Sequence, residues 1–476
     1  MALIRTTLFN QFCGGEDLDG LVKTGQRLND LGVGCIVDFA AESSEEKADV
    51  TKWLDSNVIL TQDAIRSAAQ MKEKESKKVV CGYSYLHHFV SAGEAKGNFA
   101  FVAIKVTSIC DPALLRKLST TLNFVHHAFA AACGSLQLDG GVSVIADPRD
   151  HHLLMNQTLT QAQFTSIVTA LWPSVSSASA AKMYTEALRQ PGSLENQKLT
   201  LSFFQWHKYF TPQRLASLPA PVVPSNPINT DVLKRCWLST SDVEAIELAS
   251  ARMDRIAESS RDPEIRLLVD AEQTFFQTAI DYFAVEQQEK LNRPRDPNQD
   301  LHSAPGLIYN TYQMYLKNSL GKLMCDAKRA EVFGYKFSVK LVRGAYMFQE
   351  RRCAEEAHYD SPVHNSIDAT HESFNEGLRF MIKNIGNSEL LCGTHNEDSA
   401  RLAAALLSQK AAGQDLRNLP VSFGQLLGMC DHISLILSKA GCRVYKYTPY
   451  GPVSILSRMR GSSRMSYHHG MNYPSM

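Results

Sequence analysis

Eight short apolar runs, each carrying polar residues toward its end and most separated by stretches long enough for a helix, predict an α/β chain folded as a (β/α)8 barrel of the TIM type. Two observations favour that class. Parallel strands need long crossovers, which the helix-length spacers supply, and barrel chemistry sits at the carboxyl ends of the strands, where the polar residues fall. An open doubly wound sheet is the competing architecture, but no G-x-G-x-x-G follows the first run, so the usual dinucleotide fingerprint is missing.

In chain order, N-terminal helices precede Val33 to Phe39, which holds Asp38, and Phe99 to Ser108 follows with Lys105. Ile265 to Thr274 delivers Asp270 and Glu272, and Leu307 to Tyr315 delivers Gln313. Phe337 to Met347 (FSVKLVRGAYM) brings Lys340 and Arg343, then breaks at Gly344 before Tyr346. A strand ending in glycine lets the backbone approach a ligand closely, and two cations at that end suit an anionic or electron-rich group. The last three runs are Leu390 to Asn396, Val421 to Gly428 and Cys442 to Gly451.

The rhythm lapses between about Leu138 and Asp262, which reads as a largely helical insertion between the second and third strands. It holds the proline-rich stretch Leu218 to Ile228, read as extended and not helical. Thr158 to Leu171 has a helical pattern resembling the exit helix of a calcium-binding hand, but no D-x-[DN]-x-[DN]-G loop precedes it, which argues against calcium. Ser241 and Glu244 read as a capping box, and Ile246, Ala249, Met253 and Ile256 recur at helical spacing on a helix leading back to the barrel. The expected divisions are 1–137 with the first two strands, 138–262 as the insertion, 263–453 with the remaining strands and the site, and 454–476 as a tail.

Forty-nine basic residues balance forty-nine acidic ones, so there is no electrostatic case for nucleic acid. At 476 residues, 44% hydrophobic and 21% charged, the composition is that of a globular protein with a large core. No apolar run reaches the roughly 18 residues of a membrane span. Peripheral contact with a membrane stays open. Eleven scattered cysteines without a C-x-x-C pair point to a reducing compartment and to neither a zinc site nor a disulfide framework, and no metal site is expected. The amino terminus, with one arginine and three acids in MALIRTTLFNQFCGGEDLDG, is a poor transit peptide, so a targeting segment is expected only upstream of it.

LIRTTLFNQFCGGED, AIKVTSIC, LLVDAEQTFFQTAIDY, IYNTYQMYL, KLVRGAYM, SPVHNSI, GTHNEDS, GQLLGM and KYTPYGPV occur in this order at the spacing of successive barrel strands. Together they resemble the proline dehydrogenase family, from the first residues to about Val453 and most weakly across the insertion. The resemblance implies FAD-dependent oxidation of L-proline to 1-pyrroline-5-carboxylate in mitochondria, on the matrix side of the inner membrane, with electrons passed to a quinone. It implies that Lys340 lies near flavin N5, where bacterial relatives usually carry arginine, and that Arg343, Gly344 and Tyr346 continue that wall. Gln313, Thr394, His395, Asn396 and Gln425 would contact the flavin. Lys105 matches the lysine that meets the substrate carboxylate, Asp270 the aspartate that organises it, and Leu426 and Tyr447 the positions lining the substrate ring. The preference between proline and its hydroxylated analogue rests on ring contacts that sequence does not fix.

One departure from the family stands out. The helix that should follow P-Y-G-P carries Y-L-x-R-R-x-x-E-N, whose arginines grip the substrate carboxylate, yet here Ser462 and Ser463 occupy the arginine positions and Ser466 the glutamate position. Arg458, Arg460 and Arg464 miss the spacing. Losing two charge-assisted hydrogen bonds costs roughly 3 to 6 kcal/mol. The tail reads either as a shifted frame of the last exon or as the end of an FAD-binding paralogue that has lost its clamp and acts through interactions. A third reading is a barrel lyase using Lys105 or Lys340 as a Schiff base, which requires a lowered lysine pKa.

Overall fold

The computed structural model describes residues 9–39, 50–82, 100–134, 151–194, 199–223, 227–296 and 298–452. Its strands are β1 (Gly34–Phe39), β2 (Ala100–Ile104), β3 (Thr158–Leu159), β4 (Leu201–Ser202), β5 (Ile265–Val269), β6 (Ile308–Gln313), β7 (Phe337–Val342), β8 (Ser388–Gly393), β9 (Val421–Leu426) and β10 (Arg443–Tyr450). Eight of these close a barrel in the order β1-β10-β9-β8-β7-β6-β5-β2. Every neighbouring pair is parallel. The eight apolar runs are therefore the eight barrel strands, and the doubly wound alternative is excluded by closure.

Strand alternation sorts the interior into layers. Residues two apart on a strand face the same way, so inward-facing side chains of different strands stack in successive layers. At the amino-terminal end, Arg266 on β5 faces Glu389 on β8 at 3.3 Å, and the Tyr309 hydroxyl donates to the same carboxylate at 2.6 Å. Above them Ile36, Phe101, Leu268, Tyr309, Leu391 and Tyr445 pack as an apolar layer, with Phe101 edge-on to Tyr445 at 4.8 Å between ring centroids. Asp38, Lys105, Asp270 and Tyr447 are two residues further on from Ile36, Ala103, Leu268 and Tyr445. The apolar layer thus separates two polar ends, and the carboxyl end carries the alternating acids and lysines.

Several strands stop earlier than their apolar runs. β5 ends at Val269, because the chain turns into the helix Thr274–Leu291, so Asp270 and Glu272 stand just beyond the ladder. The Asp270 amide still donates to the Ile104 carbonyl at 2.9 Å, which fixes its place on the rim. Likewise β2 ends at Ile104, and Lys105 precedes a 3-10 turn, Val106–Ser108. After β7 the backbone turns at Gly344, whose φ of +141° favours glycine.

The insertion has its own aromatic core, in which Phe164, Trp172, Phe203, Trp206 and Phe210 are fully enclosed. The helix Pro112–Ala132 joins both cores, since Leu115 and Leu118 pack into the barrel layer and Phe124 and Phe129 into the insertion. β3 and β4 pair antiparallel, each leading into a helix started by a capping box, Thr160 with Gln163 and Ser202 with Gln205. Part of the proline-rich stretch is helical after all. Pro227 opens the helix Pro227–Cys236, because proline at the first helical turn needs no amide partner, while 224–226 lie outside the described residues.

The returning helix is Thr240–Arg261, with Ile246, Ala249, Met253 and Ile256 buried in the barrel core as their spacing predicts. Its capping box is Ser239 with Asp242, not Ser241 with Glu244, because the Ser239 hydroxyl is the one that receives the Asp242 amide. Among the described residues no helix is long and apolar enough to cross a membrane. Ten cysteines, Cys13, Cys35, Cys110, Cys133, Cys236, Cys325, Cys353, Cys392, Cys430 and Cys442, are free thiols.

Candidate active site

Five strands, β1, β2, β5, β7 and β10, bring one charged network to the carboxyl mouth of the barrel. Lys340, from the end of β7, holds Asp270 Oδ1 at 2.6 Å, and the Tyr447 hydroxyl from β10 donates to Asp270 Oδ2 at 2.7 Å. The Lys340 ammonium also lies 5.0 Å from the centre of the Tyr447 ring. Lys105, beyond β2, meets Asp38 of β1 at 3.4 Å. Both carboxylates are buried, and the lysine side chains are largely covered.

Burial and charge act against one another in this cluster. Burial alone raises a carboxyl pKa, yet the nearby ammonium groups of Lys340 and Lys105 hold Asp270 below its ordinary range. Asp38 is pushed up by its burial, with Lys105 opposing and Asp270 adding to the effect. Burial disfavours the Lys105 ammonium, but Asp38 and then Asp270 outweigh it and raise its pKa. Lys105 is a permanent cation in this setting. Tyr447 stays a neutral phenol, since burial and then the adjoining Asp270 raise its pKa far above ten.

A second group of residues adjoins the first along β6 to β9. Gln313 is buried, its Nε2 donating to the Glu272 carbonyl at 2.7 Å and its Oε1 accepting from the Ala345 amide at 3.4 Å. Arg343 spreads its guanidinium over three side chains, His371 Nδ1, Thr394 Oγ1 and Ser399 Oγ, each at 2.9 Å, and lies 4.4 Å from the centre of the Phe374 ring. Asn396 caps the following helix, Glu397–Ala411, through the Ser399 amide. Gln425 donates to the Thr394 carbonyl at 3.3 Å and is braced by the Ser434 hydroxyl at 2.8 Å.

His395 accepts the Leu426 amide on Nε2 at 2.9 Å, which requires the neutral ring with its proton on Nδ1. Burial, then the charges of Lys446 and Arg343, bring its pKa down to about 4. Gly344 leaves room for the Tyr315 ring, because a Cβ there would stand 1.8 Å from it. Tyr346 half-emerges at the start of the helix Met347–Glu356. Leu426 and Tyr447 are register partners on β9 and β10, both half-buried at the rim.

The structure brings Lys105, Asp270, Lys340 and Tyr447 into a single network with Leu426 beside it, and it gathers Gln313, Arg343, Gly344, Thr394, His395, Asn396 and Gln425 next to them. This second group contains no acid. Its one cation is Arg343, and the rest are neutral hydrogen-bonding side chains around the Gly344 turn, a chemistry compatible with a flat, electron-rich or anionic group. In the sequence Asp38 is visible only as the acid of its run, without a partner, and His371 and Ser399 carry no local signal of their part in the site. Asp38 stood in a recognised run, and its role needed the β1 to β2 register, Asp38 opposite Ala103, to become visible. Ser462, Ser463, Ser466 and the three nearby arginines lie outside the described residues. Among the described residues no group of three or more His, Cys, Asp or Glu is placed to hold a metal.

The profile of the family described as "Proline dehydrogenase" matches residues 21–459. Over 485 aligned residues, covering 95% of this chain and 74% of the relative, the chain is 28% identical to human "Proline dehydrogenase 1, mitochondrial". It is 38% identical over 221 residues to Xenopus laevis "Hydroxyproline dehydrogenase", covering 46% of this chain and 45% of that protein. Among solved structures, proline utilization A (PutA) from Bdellovibrio bacteriovorus, inactivated by N-propargylglycine, superposes with a TM-score of 0.56 at 13% identity. That match covers all of this chain and 35% of the bacterial one, so the chain spans about a third of that protein, and the likeness concerns the fold.

Proposed function

Because the chain belongs to the proline dehydrogenase family, we propose that its barrel mouth oxidises L-proline to 1-pyrroline-5-carboxylate with FAD as the flavin. The observation that carries the reading is the Asp38, Lys105, Asp270, Lys340 and Tyr447 network, which fixes two cations on one wall of the mouth. A flavin, when bound, supplies the acceptor for the hydride that leaves the proline ring. Lys340, Arg343, Gln313, Thr394, His395, Asn396 and Gln425 would hold it, with Gly344 and Tyr346 completing the wall.

The chain's own groups then have distinct tasks. Lys105, kept charged by Asp38 and Asp270, binds the proline carboxylate. Lys340 presents a fixed positive charge where negative charge develops, in a site that excludes most water, and such preorganised charge is commonly the largest contribution to catalysis. Asp270 holds Lys340 and Tyr447 in place, and Tyr447 with Leu426 presents an apolar edge to the ring. The raised pKa of Lys105 is the reverse of what a Schiff-base lysine needs, which argues against Lys105 in that role.

Transfer of electrons onward to a quinone, peripheral membrane attachment and a place on the matrix side of the inner mitochondrial membrane belong to the same reading, of which relatives named as mitochondrial support the organelle alone. The test is a steady-state assay with a soluble quinone, in which product is trapped by o-aminobenzaldehyde, using L-proline and hydroxyproline in parallel. Product from L-proline supports the reading, with Lys105→Met raising KM about tenfold or more. A protein that stays yellow and makes no product from either substrate would match the paralogue without its clamp.

A further inference from the structure

Glu272 lies two positions beyond Asp270, and it is tied to both halves of the site. Both carboxylate oxygens contact the Thr107 hydroxyl, at 3.0 and 2.9 Å, and the Thr107 amide approaches one of them at 3.4 Å. Its backbone carbonyl accepts from Gln313 Nε2 at 2.7 Å, and its amide donates to Gln277 Oε1 at 3.0 Å. Thr107 is two residues from Lys105, on the same turn, and the Ser108 hydroxyl closes that turn by donating to the Lys105 carbonyl at 2.6 Å. Gln313 in turn receives the Ala345 amide of the Gly344 loop. One residue after β5 therefore connects the loops after β2, β6 and β7.

Resting on the proline reading, we propose that Glu272 is a positioning residue that fixes Lys105 on the substrate side and Gln313 on the flavin side in one register. A carboxylate in this place is costly to bury unless hydrogen bonds and a nearby cation offset the lost water, which Thr107 and Lys105 do here. Only 6% of Glu272 is exposed, and the charges that face it are Lys105 from the β2 loop and Asp270 from its own loop. Burial is the main influence on it; the Thr107 hydrogen bonds and Lys105 oppose it, and Asp270 adds to it, leaving its pKa pushed up to about 7. Its protonation state consequently changes across the neutral range. The carboxylate accepts from the Thr107 hydroxyl, whereas the acid form can donate to it, so the latch persists while the charge facing Lys105 is lost on acidification.

Three variants test this: Thr107→Val, which removes the hydroxyl; Thr107→Ser, which keeps it; and Glu272→Gln, which removes the charge but keeps the shape. The FAD-loaded protein is titrated with tetrahydro-2-furoate, a ring carboxylate that cannot be oxidised as proline is, following the flavin absorbance band from pH 5.5 to 8.5. Thr107→Val is expected to weaken binding by roughly tenfold at unchanged flavin content and thermal midpoint, and Thr107→Ser to restore it. Wild type should show an inflection near neutrality that Glu272→Gln lacks. Thr107→Val binding like wild type, or an inflection that survives in Glu272→Gln, would overturn the positioning role. Wild-type protein that neither binds the furoate nor bleaches with L-proline would strike the proline reading itself, a result separable from any difference among variants.

Discussion

His395 illustrates how much of the site is decided by one hydrogen bond. Its Nε2 accepts a backbone amide, so the ring cannot be protonated there without breaking that contact, and burial together with Lys446 and Arg343 lowers its pKa from 6.5 to about 4. The folded value lies below the unfolded one, so the unfolded chain takes up the proton first on acidification. The stabilisation is complete above pH 6.5 and is lost as pH falls through 4. A titration by NMR of the histidine ring should show His395 unprotonated down to about 4, and His395→Asn should flatten the fall in unfolding free energy between these values. A His395 resonance titrating near 6.5 would contradict this. At this scale the lysines and Asp270 were legible from sequence, because strand ends announce themselves. The partners were not. Pairing Lys105 with Asp38, or Arg343 with His371 and Ser399, depends on register and helix placement, which local pattern does not carry.

Among the elements, existence was legible and ends were not. All eight apolar runs became strands because parallel strands buried on both faces read as nearly continuous apolar runs, whereas β2, β5 and β7 stop short because turns and caps downstream compete for the same residues. The capping box moved by two residues for the same reason, two serines standing close together and only Ser239 having its oxygen on the right amide. The Gly344 turn shows what such an end does. Alanine there would drive a Cβ into the Tyr315 ring and hold a positive φ, together about 2 kcal/mol or more. Gly334, also at positive φ but with nothing within 4 Å of a Cβ, provides the comparison. Chemical denaturation should show Gly344→Ala losing more stability than Gly334→Ala, with its flavin content falling as well. Equal losses would contradict the added cost of the Tyr315 contact and of the Gly344 backbone, whose φ of +141° is harder for alanine than the +67° of Gly334.

Across the whole molecule, the apolar layer of the barrel keeps two polar ends apart. Arg266, Lys336 and Tyr309 gather on Glu389 at the closed end, and the acids and lysines of the mouth stand on the other side of Ile36, Phe101 and Leu268. Glu389→Gln removes a buried charge facing two cations and should cost about 3 to 5 kcal/mol in unfolding free energy. KM for L-proline should stay within about twofold, since distant sites add nearly independently. A large rise in KM would show that the two ends communicate. The insertion keeps its own aromatic core yet is tied to the barrel, through the shared helix Pro112–Ala132 and through contacts such as Lys208 with Glu289 and Phe204 with Phe333.

The convergence of both residue groups on one flavin and one proline is tested most directly by adding L-proline anaerobically to the purified, FAD-loaded protein and following the flavin absorbance. The account predicts that the yellow band bleaches and returns when a quinone is admitted. A band that persists at saturating L-proline, in protein whose flavin dithionite still reduces, would contradict it.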